Sequence, residues 1–154
     1  MLDFIVYGAP QGKGRARVGR IGNNVRMFTP SKTLAYEGLI AHCGAAAMAG
    51  RALIDGPVEL RLIIDVAIPA SWSKKKQAQA LNAEILPTTK PDVDNIIKAI
   101  GDGLNGVVWK DDSQVSDVIA RKRYAPKPQV RVMVRQAVTA STDSSWIDRY
   151  VDAA

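Results

Sequence analysis

The segment KPDVDNIIKAIGDGLNGVVWKDDSQV, residues 90–115, combines a helix pattern with acidic residues at both of its ends. Ile97, Ile100 and Leu104 recur at the spacing of a helix that buries one face, with Ile96 beside that stripe. The glycine-rich sequence after them predicts the end of the helix and a turn. The apolar VVW step that follows would anchor the returning chain. The segment therefore predicts a helix, a turn and the start of a strand.

Aspartates flank this helix. Asp92 and Asp94 lie at its predicted start, Asp94 near the N-cap and Asp92 just outside it, and Asp111-Asp112 follow the turn. Mg²⁺ requires hard oxygen ligands and usually takes one or two carboxylates, with water and phosphate completing its coordination. Carboxylates brought together repel unless a cation neutralises them, so the set predicts a metal site. Because neighbouring residues on a strand point to opposite faces, we expect only one of Asp111 and Asp112 to reach the metal.

The same residues also have a purely structural interpretation. Asp94, Lys98 and Asp102 are four residues apart and share one helix face. Asp94 would cap the helix while Lys98 formed ion pairs with both aspartates, each pair contributing roughly 0.2–0.5 kcal/mol. The second aspartate group favours the metal site, because ion pairs within one helix leave that group unexplained. A D-x-D pair alone is a weak signal, whereas DxDNxxK followed by WxDDSQ is far more specific.

Composition limits the kinds of protein and of partner. The 154 residues fit one domain, and 21 Lys and Arg against 15 Asp and Glu give a net charge of +6. The charge favours an anionic partner, and nucleic acid rather than a membrane, because no basic amphipathic helix or apolar run of bilayer length is present. A single Cys43 and a single His42 exclude an intramolecular disulfide, a structural zinc site and a Ser-His-Asp triad. The first ten residues do not resemble a signal peptide, and we expect a cytoplasmic protein.

Alternating and helical patterns outline the rest of the fold. Strands are predicted at residues 2–8, 25–29, 57–69, 115–124 and 129–138. Helices are predicted at 32–49, with Ser31 as N-cap, and at 74–84, with Ser73 as N-cap. We therefore expect an α/β protein of the α+β kind, a single domain with a small mixed or antiparallel sheet packed by helices. Residues 139–154 lose the periodicity and are expected to form a C-terminal tail to a domain spanning 1–138.

Two basic stretches have open interpretations. Residues 8–22 carry glycines among lysine and arginine, which indicates either a solvated loop or a flexible basic arm that closes on phosphates. The KKK run at 74–76 is either solvated surface or a phosphate contact.

Three stretches together resemble one family. PDVDNIIKAIGDGLNGVVWKDDSQV is similar to the signature of the RusA-type Holliday-junction resolvases, small endodeoxyribonucleases common in bacteria and their prophages. YGAPQGKGRARV resembles the basic opening of that family, and MFTPSKTLAYEGLI resembles the start of its first helix. The resemblance covers about residues 1–138. The chain departs from the family at Ala16, where many members have proline, and in the tail after Val138, which matches no family motif.

The resemblance implies a homodimeric α/β fold that resolves four-way DNA junctions by symmetric phosphodiester cleavage in recombination and repair. Mg²⁺ would be the cofactor, with Mn²⁺ able to replace it. Carried over position by position, the metal ligands would be Asp92, Asp94 and Asp112, with Lys98 as the catalytic lysine beside them. The second of the adjacent aspartates is the one that the family uses.

DNA contacts and competing functions complete these expectations. A structure-selective DNA-binding module without efficient cleavage and a more general branched-DNA nuclease are the alternatives. The basic residues expected to follow the junction arms are Lys13, Arg15, Arg17, Lys74, Lys75, Lys76, Arg121 and Arg123.

Overall fold

The computed structural model describes residues 1–15, 17–22 and 24–137 of the chain, so the predicted tail at 139–154 and the position of Ala16 lie outside the described residues. None of the described helices is long and apolar enough to cross a membrane. The strands and helices, in chain order, are β1 Leu2–Tyr7, β2 Arg17–Ile21, β3 Asn24–Phe28, α1 Ser31–Met48, β4 Val58–Ala67, α2 Lys74–Leu81, α3 Val93–Leu104, a 3₁₀ turn Asp112–Gln114, β5 Val115–Ala125 and β6 Gln129–Gln136.

Strand β4 lies inside a four-stranded sheet with the order β1-β6-β4-β5. It pairs in parallel with β5 and antiparallel with β6, and β6 pairs antiparallel with β1. A parallel pair needs a long crossover connection, and the connection between β4 and β5 contains α2 and α3. Strands β2 and β3 form a separate two-stranded sheet. The prediction of a single α+β domain with a small mixed sheet is confirmed.

One face of the large sheet forms the core with helices α1 and α3. Alternate β4 side chains, Leu60, Leu62 and Ile64, are almost completely buried, as the two-residue period of a strand requires. The VVW step also lies in this core. Trp109 is fully buried, and its indole Nε1 donates a hydrogen bond to Asn105 Oδ1 at 2.9 Å. The predicted anchor after the turn is therefore confirmed.

Two N-caps were predicted, Ser31 for α1 and Ser73 for α2. Helix α1 begins at Ser31 with Pro30 as its N-cap, so the predicted Ser31 cap is wrong. The Pro30 carbonyl already accepts the first hydrogen bonds of the helix, from the backbone N–H groups three and four residues on. The Ser73 cap of α2 is confirmed, because its hydroxyl accepts a hydrogen bond at 3.3 Å from the backbone N–H three residues on. Helix α2 ends at Leu81, earlier than predicted, and Ala83 follows in the left-handed region with φ 61°.

Charged residues pair across strands on the opposite face of the sheet. Glu59 of β4 is buried and is hydrogen-bonded by Arg61 and by Arg135. Burial alone would raise the pKa of Glu59, but the hydrogen bonds from Arg135 and Arg61 outweigh it and hold the pKa below its usual value. Asp65 is also buried, and it accepts a hydrogen bond from Arg123 at 2.7 Å. This face is organised by charge rather than by helix packing.

Helix α3 buries a stripe that contains Ile96, Ile100 and Leu104, all fully buried. The prediction had Ile97 in that stripe and Ile96 beside it, and the structure reverses them, since Ile97 is only partly buried. A helix that packs on both a sheet and a second helix has a wider apolar face than three residues define. The wider face includes Gly103, which is buried as well.

Glycine lets α1 and α3 approach each other closely. A Cβ atom added to Gly103 would lie 2.8 Å from Ile40 Cγ2, 2.9 Å from Ile40 Cβ and 3.1 Å from the Glu37 carbonyl oxygen. These atoms belong to a branched side chain near its root and to the backbone of α1, so they cannot move aside without shifting the helix. The crossing of the two helices therefore requires glycine at this position.

Replacing Gly103 by alanine should destabilise the fold by about 1–3 kcal/mol, the usual cost of overpacking a core. Gly38→Ala in α1 is the matched control, because a Cβ atom there would meet nothing within 4 Å. The control should be neutral or gain up to about 1 kcal/mol from helix propensity. Urea unfolding of both variants measures the difference, and equal stabilities would contradict the close crossing.

Candidate active site on helix α3

The amino end of α3 carries the first two predicted ligands. Asp92 is the N-cap itself, with extended backbone at φ −75° and ψ 144°, and its carboxylate makes no capping hydrogen bond. Asp94 is in the first helical turn. The prediction placed Asp94 near the N-cap and Asp92 outside it, so the helix starts one to two residues earlier than expected. Both side chains are exposed and lie where the helix dipole favours negative charge.

Asp112 returns to the same helix from the far side of the turn. Positions 94, 98 and 101 are four and three residues apart, so Asp94, Lys98 and Gly101 follow one face of α3. A Cβ atom on Gly101 would lie 3.4 Å from Asp112 Oδ2 and 3.5 Å from Asp112 Cβ. The Asp112 carboxylate thus lies against the helix surface next to Gly101, one turn beyond Lys98. These are ordinary van der Waals distances, so the Asp112 side chain packs directly on the helix at this position.

The adjacent Asp111 has a different task. It caps the 3₁₀ turn, and its Oδ1 accepts a hydrogen bond from Ser113 N at 2.9 Å. Gln114 completes the capping box, since its Oε1 accepts hydrogen bonds from the backbone N–H groups of Lys110 and Asp111 at 2.8 and 3.2 Å. Hydrogen bonding from Ser113 lowers the pKa of Asp111 from its usual value. The structure therefore divides the pair, with Asp111 holding the turn and Asp112 facing α3.

Lys98 does not form the ion pairs of the purely structural interpretation. Asp102 pairs with Lys13 from the amino-terminal loop, and Lys13 Nζ also lies 3.4 Å from Glu37 Oε1. Among the residues that the structure describes, no ion pair includes Lys98 or Asp94. The ammonium group of Lys98 is exposed on the face between Asp94 and the Asp112 carboxylate. The alternative interpretation, in which Lys98 pairs with Asp94 and Asp102, is therefore wrong, and the charges of Lys98 and Asp94 are available to a ligand.

The loop that contains Lys13 is docked rather than extended. Lys13 N donates a hydrogen bond to the Asn95 carbonyl oxygen at 2.9 Å, and Gly14 N donates to Thr33 Oγ1 at 3.1 Å. The hydrogen bond to Asp102, with the charge of both carboxylates, raises the pKa of Lys13. This part of the basic stretch buttresses α3, and the Lys13 ammonium is already engaged by carboxylates.

The donor set suits Mg²⁺ in its chemistry. In the described part of the chain, no three acidic, histidine or cysteine side chains lie close enough together to form a ready metal cage. Mg²⁺ usually takes only one or two carboxylates and keeps several waters, so it does not need such a cage. The carboxylates of Asp92, Asp94 and Asp112 are exposed, and no described residue donates a hydrogen bond to them. They are hard oxygen donors that have no partner among the described residues.

The remaining basic residues fall on two sides of the sheet. Lys74, Lys75 and Lys76 are exposed on α2, and Lys76 Nζ lies 3.8 Å from the centre of the Trp72 ring. That ring packs against Tyr124, whose side chain alternates with Arg123 along β5. The alternation puts α2 on the same side of the sheet as α3.

The two predicted arginines of β5 are on the other side. Arg123 pairs with Asp65 on the charged face, and Arg121 shares that face by strand alternation. The structure does not bring these arginines to the aspartates. Arg15 is exposed, and the side chain of Arg17 lies outside the described part of the structure.

One contact next to the aspartates was not predicted from the sequence. Lys122 of β5 directs its ammonium group to the segment before Asp92, where it donates hydrogen bonds to the carbonyl oxygens of Thr89 at 2.8 Å and Pro91 at 3.1 Å. The signal available in the sequence was alternation on β5, which separates Lys122 from its two arginine neighbours.

Comparisons with known proteins cover most of this chain. The family model described as Endodeoxyribonuclease RusA matches residues 8–135, a span that contains all of α3 and both aspartate groups. The uncharacterized protein YqaN of Bacillus subtilis (strain 168) is 38% identical over 137 residues, which cover 88% of this chain and 96% of that protein.

The division within the Asp111-Asp112 pair can be tested by stability alone. Asp111→Ala removes the acceptor for Ser113 N and should lower the melting temperature by roughly 2–4 °C, the effect of a lost cap in a domain of this size. Asp112→Ala removes a side chain that holds no hydrogen bond and should change it by less than about 1 °C. Thermal unfolding followed by circular dichroism checks both. A larger loss for Asp112→Ala would give Asp112 the structural task.

Proposed function

This chain belongs to the RusA family of endodeoxyribonucleases, and from that premise we propose that it resolves four-way DNA junctions by Mg²⁺-dependent hydrolysis at the exposed face of α3. Membership of the family implies a nuclease that acts on branched DNA junctions. We further propose the metal, the roles of individual residues, the symmetric cut and the dimer.

The return of Asp112 to α3 is the observation that carries the proposal. Asp112 is separated from Asp94 by the whole helix and the turn, yet its carboxylate lies beside Gly101, on the helix face that also carries Lys98. Trp109 makes this return rigid, because its ring is fully buried and its indole is hydrogen-bonded to Asn105. Asp94 and Asp112 share one helix face, and neither carboxylate has a partner among the described residues. Two such carboxylates on one face support a cation site.

Each residue of the face has a separate role in the proposed reaction. Asp92, Asp94 and Asp112 would hold the metal through their carboxylate oxygens. When bound, Mg²⁺ would lower the pKa of a coordinated water and stabilise the charge that develops on the phosphate. Lys98 would hold the scissile phosphate, since its ammonium is an exposed cation without an ion pair among the described residues.

Basic residues around the face would supply affinity for the DNA backbone. Lys74 and Lys75 are exposed on α2, on the same side of the sheet as α3, and Arg15 is exposed near the docked amino-terminal loop. Contacts of this kind release counterions, so binding should weaken steeply as salt is raised. A homodimer would complete the proposal, because paired cuts across a two-fold symmetric junction need two active sites in a fixed relation.

Cleavage of a labelled synthetic four-way junction tests the proposal. In Mg²⁺ the wild-type protein should introduce paired symmetric nicks and leave linear duplex intact. Asp94→Asn should slow cleavage by roughly 100-fold or more, the scale of losing one group that stabilises transition-state charge. Its affinity for the junction in EDTA should stay within about twofold of wild type, because no basic residue is removed.

Asp117→Asn is the matched control, since Asp117 is an exposed aspartate of β5 that pairs in register with Glu59 on the charged side of the sheet. It should cut like wild type. Cleavage by Asp94→Asn at the wild-type rate would refute the site. Junction binding without cleavage in Mg²⁺ or Mn²⁺ would favour a binding module, and equal cutting of duplex and junction would favour a general nuclease.

A further inference from the structure

We infer that Lys122 is a positioning residue of the proposed active site, holding through two backbone carbonyls the segment that delivers Asp92 and Asp94. The inference rests on the proposed function, because it assigns to Lys122 a task in the same reaction. Lys122 stands on β5, outside the DxD and DD groups, and its contacts are to backbone rather than to a carboxylate.

The contacts are placed directly before the first proposed ligand. Lys122 Nζ donates to the Pro91 carbonyl oxygen at 3.1 Å, and that carbonyl belongs to the peptide bond that continues into Asp92. The second hydrogen bond, 2.8 Å long, goes to the Thr89 carbonyl oxygen two residues earlier. An ammonium group that bridges two carbonyls fixes both the position and the direction of the chain between them. Hydrogen bonds with a charged donor are also stronger than those between neutral groups.

This connection has little else to hold it. It runs from the end of α2 to the Asp92 cap, and within the described structure residues 85–90 make no backbone–backbone hydrogen bond. Pro87 is buried, but the residues on either side of it are at least partly exposed. The two hydrogen bonds from Lys122 therefore give the connection its main polar attachment to the sheet.

Residues at or near the two ends of strand β5 contact the two ends of helix α3. Asp112, three residues before the strand starts, lies against Gly101 in the last turns of the helix. Lys122, near the other end of the strand, holds the chain that enters the helix. Because β5 is itself fixed by parallel pairing with β4 along Val115–Ala125, a single strand sets the spacing between the two aspartate groups. Reactions that depend on held ligands are sensitive to displacements well below 1 Å, by the usual standard for preorganised sites.

The charge of Lys122 is not neutralised within the described part of the protein. No ion pair to it is formed by a described residue, in contrast to Lys13, Arg123 and Arg131, which are all paired with carboxylates. Lys122 is partly buried, and its ammonium group donates hydrogen bonds to two carbonyl oxygens, so its positive charge remains at the start of α3. The field of this charge opposes the mutual repulsion of Asp92 and Asp94 in the same way as the helix dipole does.

The deciding variant is Lys122→Met, which keeps the aliphatic stem and removes the ammonium group. We expect cleavage at saturating junction to fall roughly 10–100-fold, the range for residues that orient metal ligands, and the Mg²⁺ concentration for half-maximal rate to rise. Junction affinity in EDTA and its salt dependence should stay as in wild type, because Lys122 is not a phosphate contact. Lys122→Arg should restore part of the rate, since a guanidinium can still donate to both carbonyls.

Hydrogen exchange gives a readout that does not depend on cleavage. In Lys122→Met, the hydrogen-bonded amides of the first turns of α3, from Ile96, whose N–H donates to the Asp92 carbonyl, to residue 99, should exchange at least about tenfold faster, while those of β4 and β6 keep their wild-type protection. Lys127→Met is the matched control, because Lys127 is an exposed lysine in the turn that follows β5 and was given no part in the site or in DNA binding. It should leave both the rate and the exchange unchanged.

The outcomes separate this inference from the proposed function. Wild-type exchange at residues 96–99 in Lys122→Met would overturn the positioning role, and so would an unchanged cleavage rate or a smaller salt dependence of junction binding. A wild-type protein that cuts no DNA would refute the proposed function, while faster exchange in the variant would still establish the attachment. If Lys122→Met unfolds, Lys122→Gln replaces it, because its shorter neutral side chain loses the ammonium group that bridges both carbonyls, and its rate and exchange are judged by the same criteria.

Discussion

The close crossing of helices α1 and α3 determines where the acidic face of α3 points. A Cβ atom at Gly103 would lie within 3.1 Å of Ile40 and of the Glu37 carbonyl oxygen, so the two helices are in direct backbone contact there. With one side fixed against α1 and the sheet, the side that carries Asp94 and Lys98 must face outward. The packing of the core thus sets the orientation of the site, and the acidic residues contribute little to the core themselves.

The acidic residues of the described structure divide into those with partners and those without. Glu59, Asp65 and Asp102 are each paired with arginine or lysine, and Asp111 caps a turn. Glu59 and Asp65 are buried, and the loss of their partners would be strongly destabilising. The carboxylates of Asp92, Asp94 and Asp112 have no such partner, although Lys98 stands one helical turn from Asp94. Pairing thus identifies the acids that stabilise the fold, which the charge pattern of the sequence alone does not do.

Most of the fold follows from local patterns in the sequence, and the site follows only in part. The alternation of β4, the periodicity of α3 and the Ser73 cap depend on neighbouring residues, so they could be predicted. The partner of Asp102 could not, because Lys13 lies 89 positions away and an equally reasonable partner, Lys98, lies four away. The same limit applies to Lys122, whose acceptors are backbone carbonyls that carry no side-chain signal. Contacts of this kind are set by tertiary packing, which overrides local preference.

Strand β5 shows how one element can serve stability and function at once. Its alternation sends Arg123 to the buried carboxylate of Asp65 on one side of the sheet and Lys122 to the start of α3 on the other. The first contact fixes β5 to β4, and a strand fixed in this way can hold the second contact at a constant distance from Asp112. If β5 could slip by one residue, every side chain on it would change face, and the helix start would lose its attachment together with the ion pair. The register of β5 therefore couples the stability of the sheet to the geometry of the aspartates.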